Sequence, residues 1–347
     1  MAEDEILEAV VPVDDAPETV AEAAELLERA RFEVKRWIVG QDAMLERVMA
    51  ALLARGHVLL EGVPGLAKTL TIRTVAAVFG GTFRRIQFTP DLLPADLVGT
   101  RVLDPKTGKF RVELGPVFAN FLLADEINRA PAKVQSALLE VMQEQTVTIG
   151  GETFKVPLPF LTLATQNPIE SEGTYPLPEA QTDRFMMKVV IDYPDYGEEL
   201  EVVNLVARPP VPPRRVLGPA ALEGIQRLVD EVFVDHRIRE YAVALVTATR
   251  KPGEFGVGEV GPYIEYGASP RGSINLVLAA RALAVMRGRD YVVPSDVVAV
   301  IPDVLRHRII PSYRALAEDV AADDIVKRVA EVLRPPDLEL ARRVEGA

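Results

Sequence analysis

Apolar positions first fall into helical spacing near Thr19. Thr19 and Glu22 stand three apart, as in a capping box, and Leu26, Leu27, Ala30, Phe32, Val34 and Trp37 supply an apolar side that stops at Gly40. Met44, Leu45, Val48, Met49 and Leu52 then repeat at three and four, predicting a second helix from about Gln41 with Gly56 as its cap. Beyond it the pattern changes to short apolar runs at 57–60, 83–88, 121–124, 160–164 and 186–191, which read as strands. They alternate with helical stretches, among them 71–78 and 131–144, and strands alternating with helices imply a parallel sheet with helical crossovers. The order of the strands cannot be read from their spacing. Turn residues at 104–108 and the Gly150-Gly151 pair predict two hairpins inserted into this alternation.

A helix near 198–207 ends at Arg208-Pro-Pro-Val-Pro-Pro-Arg214, too proline-rich to remain helical, so a linker is placed at 209–218. Past it the patterns at 220–233, 239–249, 270–287, 294–305 and 323–333 are mainly helical. The expected organisation is an arm over 1–18, an α/β unit over 19–208, the linker, and a smaller all-α lid over 219–347. The 347 residues suit one large and one small domain.

Charge changes the picture at one end only. The formal net charge is −12, yet the first 28 residues carry ten carboxylates and no Lys or Arg, which leaves 41 acidic against 39 basic residues in the remainder. The arm, lacking a sustained period, is expected to be mobile. A nearly neutral body argues for protein partners and against nucleic acid. The absence of cysteine excludes disulfides, thiolate metal sites and thiol nucleophiles. No apolar run approaches the roughly 18 residues that cross a bilayer, so the expectation is a cytoplasmic protein.

The chemistry is concentrated at predicted strand ends. Gly62-Val63-Pro64-Gly65-Leu66-Ala67-Lys68-Thr69, with Leu70 beside it, follows one strand and opens a helix. That is the setting of a phosphate-binding loop, whose N–H groups cradle phosphates while Lys68 reaches the terminal ones and Thr69 ligates magnesium. Ala67 stands where glycine is usual, so that position must hold a backbone that alanine tolerates. Asp125 and Glu126 end an apolar strand, where Asp125 suits the Mg²⁺ water shell and Glu126 the activation of a water attacking the γ-phosphate. By themselves two such acids could equally cap the next helix. Asn167, before Pro168, ends the next core strand and could orient the same water, although an Asn-Pro pair is commonly a turn. Arg129, Arg184 and Arg271 are alternative partners for the γ-phosphate. The three histidines, His57, His236 and His307, are too scattered to suggest a metal site of their own.

Taken in order, these motifs resemble the MoxR family of AAA+ ATPases over roughly residues 20 to 335. The resemblance rests on the 56–69 segment including its alanine, on Asp125-Glu-Ile-Asn-Arg-Ala-Pro131, Ala164-Thr-Gln-Asn-Pro168, Leu177-Pro-Glu-Ala-Gln-Thr-Asp-Arg-Phe185 and Leu305-Arg-His-Arg-Ile309. It implies a P-loop NTPase core with a helical lid and a hexameric ring. It also implies that Ile38, Val39, Gly40 and Gln41 lie by the adenine, that Asn167 is sensor 1, that Arg184 is an arginine finger reaching a neighbouring subunit and that Arg271 is sensor 2. The lid can be repositioned in such ATPases, so Arg271 is open to serving its own or a neighbour's nucleotide. The hairpins would face the pore and touch the client.

The resemblance further implies a chaperone-like remodelling or maturation factor working with a von Willebrand factor A-domain protein. The alternatives are the ATPase subunit of a metal-chelatase-like complex, a nucleic-acid motor, and a nucleotide-gated scaffold with negligible turnover. A scaffold would have no need of the water-activating Glu126.

Overall fold

The computed structural model describes residues 12–106, 108–168, 174–207 and 211–338. Helix α1 (Val20–Lys35) opens with the expected capping box: the Thr19 hydroxyl accepts from the Glu22 N–H at 3.2 Å and the Glu22 carboxylate accepts from the Thr19 N–H at 3.3 Å. Its buried side is Ala23, Leu26, Leu27, Ala30 and Val34, whereas Phe32, expected on that side, is 69% exposed. The 3.6-residue period explains the miss, because positions 30 and 34 define the inward face and 32 lies between them on the outside.

Helix α2 (Asp42–Leu53) leads to β1 (Val58–Glu61), and α3 (Lys68–Val78) follows the glycine-rich loop. Next come β2 (Phe83–Gln87), the short α4 (Pro94–Val98), the antiparallel hairpin β3 (Gly99–Leu103) and β4 (Phe110–Leu114), and β5 (Phe121–Asp125). Helix α5 (Ala132–Glu144) precedes the second hairpin, β6 (Thr146–Ile149) and β7 (Glu152–Lys155). Strand β8 (Leu161–Gln166), the single-turn α6 (Glu179–Thr182), β9 (Met187–Val190) and α7 (Tyr196–Val206) complete the α/β unit.

Five strands form one wholly parallel sheet in the order β2-β5-β8-β1-β9. One apolar cluster fills the face covered by α1, α2 and α3 and continues into the lid, through residues such as Leu276, Val297 and Leu305. The other face is filled by a second cluster built on α5, with Leu122, Ala124, Leu138 and Phe185 at its centre. Helices on both faces are what a parallel sheet requires, since neither face can be left in water.

The lid comprises α8 (Pro219–Glu231), α9 (His236–Arg250), β10 (Ile264–Tyr266), α10 (Pro270–Met286), α11 (Pro294–Leu305), β11 (Ile310–Pro311), α12 (Tyr313–Ala317) and α13 (Ala322–Val332). Among the described residues its regular structure is helical apart from the short antiparallel β10–β11 pair and a single parallel bridge between Phe233 and Tyr291. Contact with the base is continuous, α10 packing on α1 and α2 and α11 on β9.

The arm differs from expectation where it is described. Residues 1–11, and 208–210 of the expected linker, lie outside the described residues, but 12–18 form a docked strap. Val13 makes a parallel bridge to Leu217; its N–H donates to the Val216 carbonyl and its carbonyl accepts from the Gly218 N–H, both at 3.0 Å. Val216 in turn donates to the Val78 carbonyl at 2.8 Å, and Arg215 pairs with Asp14 at 2.9 Å. A Cβ on Gly224 of α8 would lie 2.5 Å from that of Ala16, so only glycine lets the strap cross there. Backbone pairing, which no periodicity announces, is why the acidic composition misled.

Candidate active site

Strand β1 is buried, and the chain leaving it turns through Gly62–Ala67 into α3. Gly65 sits at φ 91°. Ala67, directly before the helix, is left-handed at φ 55°, ψ 16°, which costs an alanine on the order of 1–2 kcal/mol. This is the backbone the sequence required that residue to tolerate. Strained backbone of this kind persists where a site holds it.

Because β8 lies between β1 and β5, three strand ends converge on this loop. Leu66, Lys68, Thr69, Leu70, Asp125, Glu126, Thr165 and Asn167 line one cleft of about 440 Å³ at the carboxyl edge of the sheet. Open parallel sheets bind ligands at that edge. Glu126 is also left-handed, at φ 56°, ψ 51°. One hydroxyl organises both acids: Thr165 Oγ1 donates to Asp125 Oδ1 at 2.6 Å and accepts from the Glu126 N–H at 2.8 Å. Lys68 Nζ donates to the Gly62 carbonyl at 2.5 Å. Burial lowers its pKa from the ordinary lysine value, while Asp125, Glu126 and Glu61 oppose that shift.

Strand β2 adds two side chains that the sequence reading passed over. Arg85 donates to Asp125 Oδ2 through Nε at 3.0 Å and through Nη2 at 2.6 Å. Gln87 Nε2 donates to Glu126 Oε2 at 2.7 Å, as does Arg129 Nη1 at 3.2 Å. The signal was the alternation of Arg85 and Gln87 around the buried Ile86, which puts both on one strand face, but only the pairing of β2 with β5 says what that face meets. Thr165 was invisible for the same reason.

A second cleft, of about 360 Å³, shares Pro64, Gly65, Leu66 and Ala67 with the first, so the two form one groove. Val39, Gln41, Tyr193, Pro194 and Val202 line it. Gln41 Nε2 donates to the Asp192 carbonyl at 3.4 Å. Of the expected adenine neighbours, Ile38 is buried in the core and Gly40 packs against Glu198 of α7. Val63 packs on the core beneath the loop, and Gly62 backs it against Ile191.

Arg184 and Arg271 are elsewhere. They share a cavity between base and lid with Arg55, His57, Gln143 and Asn275, and this cavity has no lining residue in common with the phosphate cleft. Arg271 Nη1 donates to Asp183 Oδ2 at 3.3 Å, and its side chain remains 42% exposed. The structure therefore gathers Lys68, Thr69, Asp125, Glu126 and Asn167 in one place and the two arginines in another. His57 is buried, His307 half-buried and His236 exposed, and burial drives the pKa of His57 down to about 4 and that of His307 well below the ordinary histidine value. His57 is fixed between the Met142 carbonyl at 3.0 Å and the Thr162 N–H at 3.0 Å.

Comparison with known proteins agrees with this architecture. Residues 57–187 match the ATPase family associated with various cellular activities (AAA), and residues 259–329 match the AAA lid domain. Chaperone MoxR1 of Mycobacterium tuberculosis is 54% identical over 94% of this chain and 88% of its own. Protein MoxR of Methylorubrum extorquens is 33% identical over 88% of this chain and 95% of its own. A crystal structure from Cytophaga hutchinsonii, of a protein described as an ATPase, superposes with a TM-score of 0.86 at 46% identity, covering 92% of this chain and 96% of that one. Motifs, sheet order, lid and relatives converge, and the chain belongs to the MoxR family of AAA+ ATPases.

Proposed function

We propose that this ATPase hydrolyses Mg²⁺-ATP as a homo-oligomeric ring, a hexamer, in which Arg184 and Arg271 of one subunit act on the nucleotide held by the next. The observation that carries this reading is the separation of the two arginines from their own chain's phosphate cleft. A site finished across a head-to-tail contact generates a closed ring when its rotation closes.

Within one subunit the loop N–H groups and Lys68 hold the phosphates, and Val39, Gln41 and Tyr193 border the base. The Thr69 hydroxyl and the Asp125 carboxylate, hard oxygen donors in one cleft, fit Mg²⁺, which would neutralise charge on the β- and γ-phosphate oxygens. Glu126 takes the proton of the attacking water and Asn167 orients it. Gln87 and Arg129 hold the Glu126 carboxylate and set where it can act. The neighbour's Arg184 and Arg271 stabilise charge on the transferring phosphoryl group.

The work done is chaperone-like remodelling or maturation of a protein client. The hairpin β3–β4 supports this, because it presents exposed Leu103, Phe110 and Leu114, and Arg101 stacks over Phe110 at 5.0 Å from the ring centroid. Arg101 also reaches the Gly150 carbonyl at 3.5 Å, linking the two hairpins. The name of the mycobacterial relative points the same way, and the family resemblance supplies the partner, a von Willebrand factor A-domain protein.

Subunit mixing tests the ring. Glu126→Gln is expected to bind ATP but lose turnover by about 10²–10⁴-fold, Lys68→Ala to lose binding, and Arg184→Ala to bind and turn over poorly. Mixing Arg184→Ala with Glu126→Gln should restore activity that neither has alone, since each supplies what the other lacks. No restoration in a mixed ring would sink the in-trans assignment. Capture with Glu126→Gln in saturating ATP should recover an A-domain protein, and recovery of chelatase subunits in its place would redirect the client.

A further inference from the structure

Arg184 belongs to the base, just before β9, while Arg271 lies in the first turn of α10 in the lid. Acting together on one phosphate requires that base and lid be fixed to each other at this point. Asp183 is where they meet. Its carboxylate accepts from Ser269 Oγ at 2.9 and 3.0 Å, from Arg271 Nη1 at 3.3 Å and from Arg308 Nε at 2.9 Å. Ser269 is also the N-cap of α10, and its Oγ accepts from the Arg271 N–H at 3.2 Å.

Arg308 belongs to the Leu305–Ile309 motif, which the hydrolytic chemistry leaves without a task. Its side chain is completely buried. Nη2 donates to the carbonyls of Asp183 at 3.1 Å and Phe185 at 2.7 Å, and Nη1 to the carbonyl of Met186 at 3.2 Å and to that of Val304. One guanidinium from the lid thus grips the backbone on both sides of Arg184. Burial lowers the pKa of Arg308 only to about 10, so it carries its charge at neutral pH. Its neighbours follow suit, His307 Nε2 lying 3.2 Å from the Phe185 carbonyl and Arg306 Nη1 donating to Lys188 O at 3.2 Å.

A purely structural role for this pair explains less. The apolar core already runs without a break from base to lid, and a buried ion pair stabilises no better than well-packed apolar residues would. What a guanidinium bonded to one carboxylate oxygen and four backbone carbonyls adds is geometry. We infer that Asp183 and Arg308 are positioning residues that weld Arg184 and Arg271 into one two-pronged unit, presented to the terminal phosphate of the adjoining subunit. This inference rests on the ring reading above. Arg271 fits the arrangement: it is anchored through one nitrogen and still 42% exposed.

The test is turnover and subunit mixing with Asp183→Asn and, as a milder variant that removes the hydroxyl link between the lid and Asp183 together with the N-cap bond to the Arg271 N–H, Ser269→Ala. Asp183→Asn should bind a fluorescent ATP analogue within about twofold of the unmodified protein while kcat falls by about 10²-fold, the cost of an ångström-scale misplacement. Equal mixing with Glu126→Gln should raise turnover to about a quarter of that of the unmodified ring, because about half of the sites keep Glu126 and random head-to-tail assembly gives about half of those a correct donor. Ser269→Ala should shift in the same direction by less, and Arg308→Lys, which keeps the charge but not the fork, should behave like Asp183→Asn. Should Asp183→Asn fold poorly, Ser269→Ala carries the comparison. Unchanged kcat in both Asp183→Asn and Ser269→Ala overturns the inference. So does mixing that rescues Arg184→Ala but not Asp183→Asn, which leaves the ring standing. If neither is rescued, the ring reading and this inference fall together.

Discussion

At the carboxyl ends of β1, β5 and β8, Asp125, Glu126 and Thr165 are bonded to one another and to Arg85 and Gln87 of β2, all inside one α/β unit. Arg184 and Arg271 line one cavity because the lid is seated against that unit, with Asp183 of the base bonded to Arg271 and Arg308 of the lid at that point. The first arrangement is set as soon as the sheet pairs correctly. The second depends on where the lid sits. In the proposed ring, a shift of the lid leaves a subunit's own acids in register while moving Arg271 away from Arg184, so that the pair it offers to its neighbour comes apart. Lid position then becomes a signal passed in one direction around the ring.

The largest separation of the two regions should come from Thr165→Val. It leaves Asp125 Oδ1 and the Glu126 N–H without their shared partner, a loss of about 1–3 kcal/mol that should lower turnover roughly 10–10²-fold. The same subunit should still serve as arginine donor when mixed with Arg184→Ala. A fall of less than about threefold in steady-state ATPase would mean that the Thr165 bridge does not organise the acids.

Acid should strike the lid-facing side. His57 borders the arginine cavity, with its pKa lowered to about 4 chiefly by burial, and His307, in the Arg308 cluster, is lowered by burial and then by the charges of Arg308, Lys188 and Arg306. A folded-state pKa below the unfolded value means the unfolded chain binds more protons. Stability is therefore intact above the ordinary histidine value and is lost as pH falls through the window between that value and about 4. At pH 5 His57 should cost about 2 kcal/mol, and His307 acts in the same direction. Thermal midpoints at pH 7.5 and 5.0 would measure it, and a His57→Gln variant with an undiminished acid shift would remove His57 from the account. The smallest effect belongs to the loop. Ala67→Gly relieves the left-handed alanine against the greater freedom of glycine in the unfolded chain, so the gain should be at most about 1 kcal/mol. A lower melting temperature in that variant would show that the strain at Ala67 is smaller than the entropy cost of glycine there.

Legibility in the sequence followed the same division. The loop, the two acids and Asn167 could be placed because each ends an apolar run, and the pattern of a buried parallel strand is strong. Arg85, Gln87 and Thr165 could not, because strand order decides which side chains share an edge and spacing does not encode it. Arg184 and Arg271 were legible as candidates, but that they share a cavity away from the phosphate cleft depended on the docking of the lid. Asp183 and Arg308 are 125 residues apart and carry no local signal of their partnership. Phe32 went astray through one residue of helical phase, and the strap at 12–18 through backbone pairing that composition does not reveal.

The pairing of Val13 with Leu217 also sets a timetable. During synthesis the strap precedes its bridge partner by about two hundred residues, roughly 10–40 s at ordinary elongation rates. Through that interval β1, β5 and β8 can pair and the phosphate loop can form with the strap still undocked. Closing it has to wait for residue 217, when the α/β unit has been made and the helices of the lid are still to come.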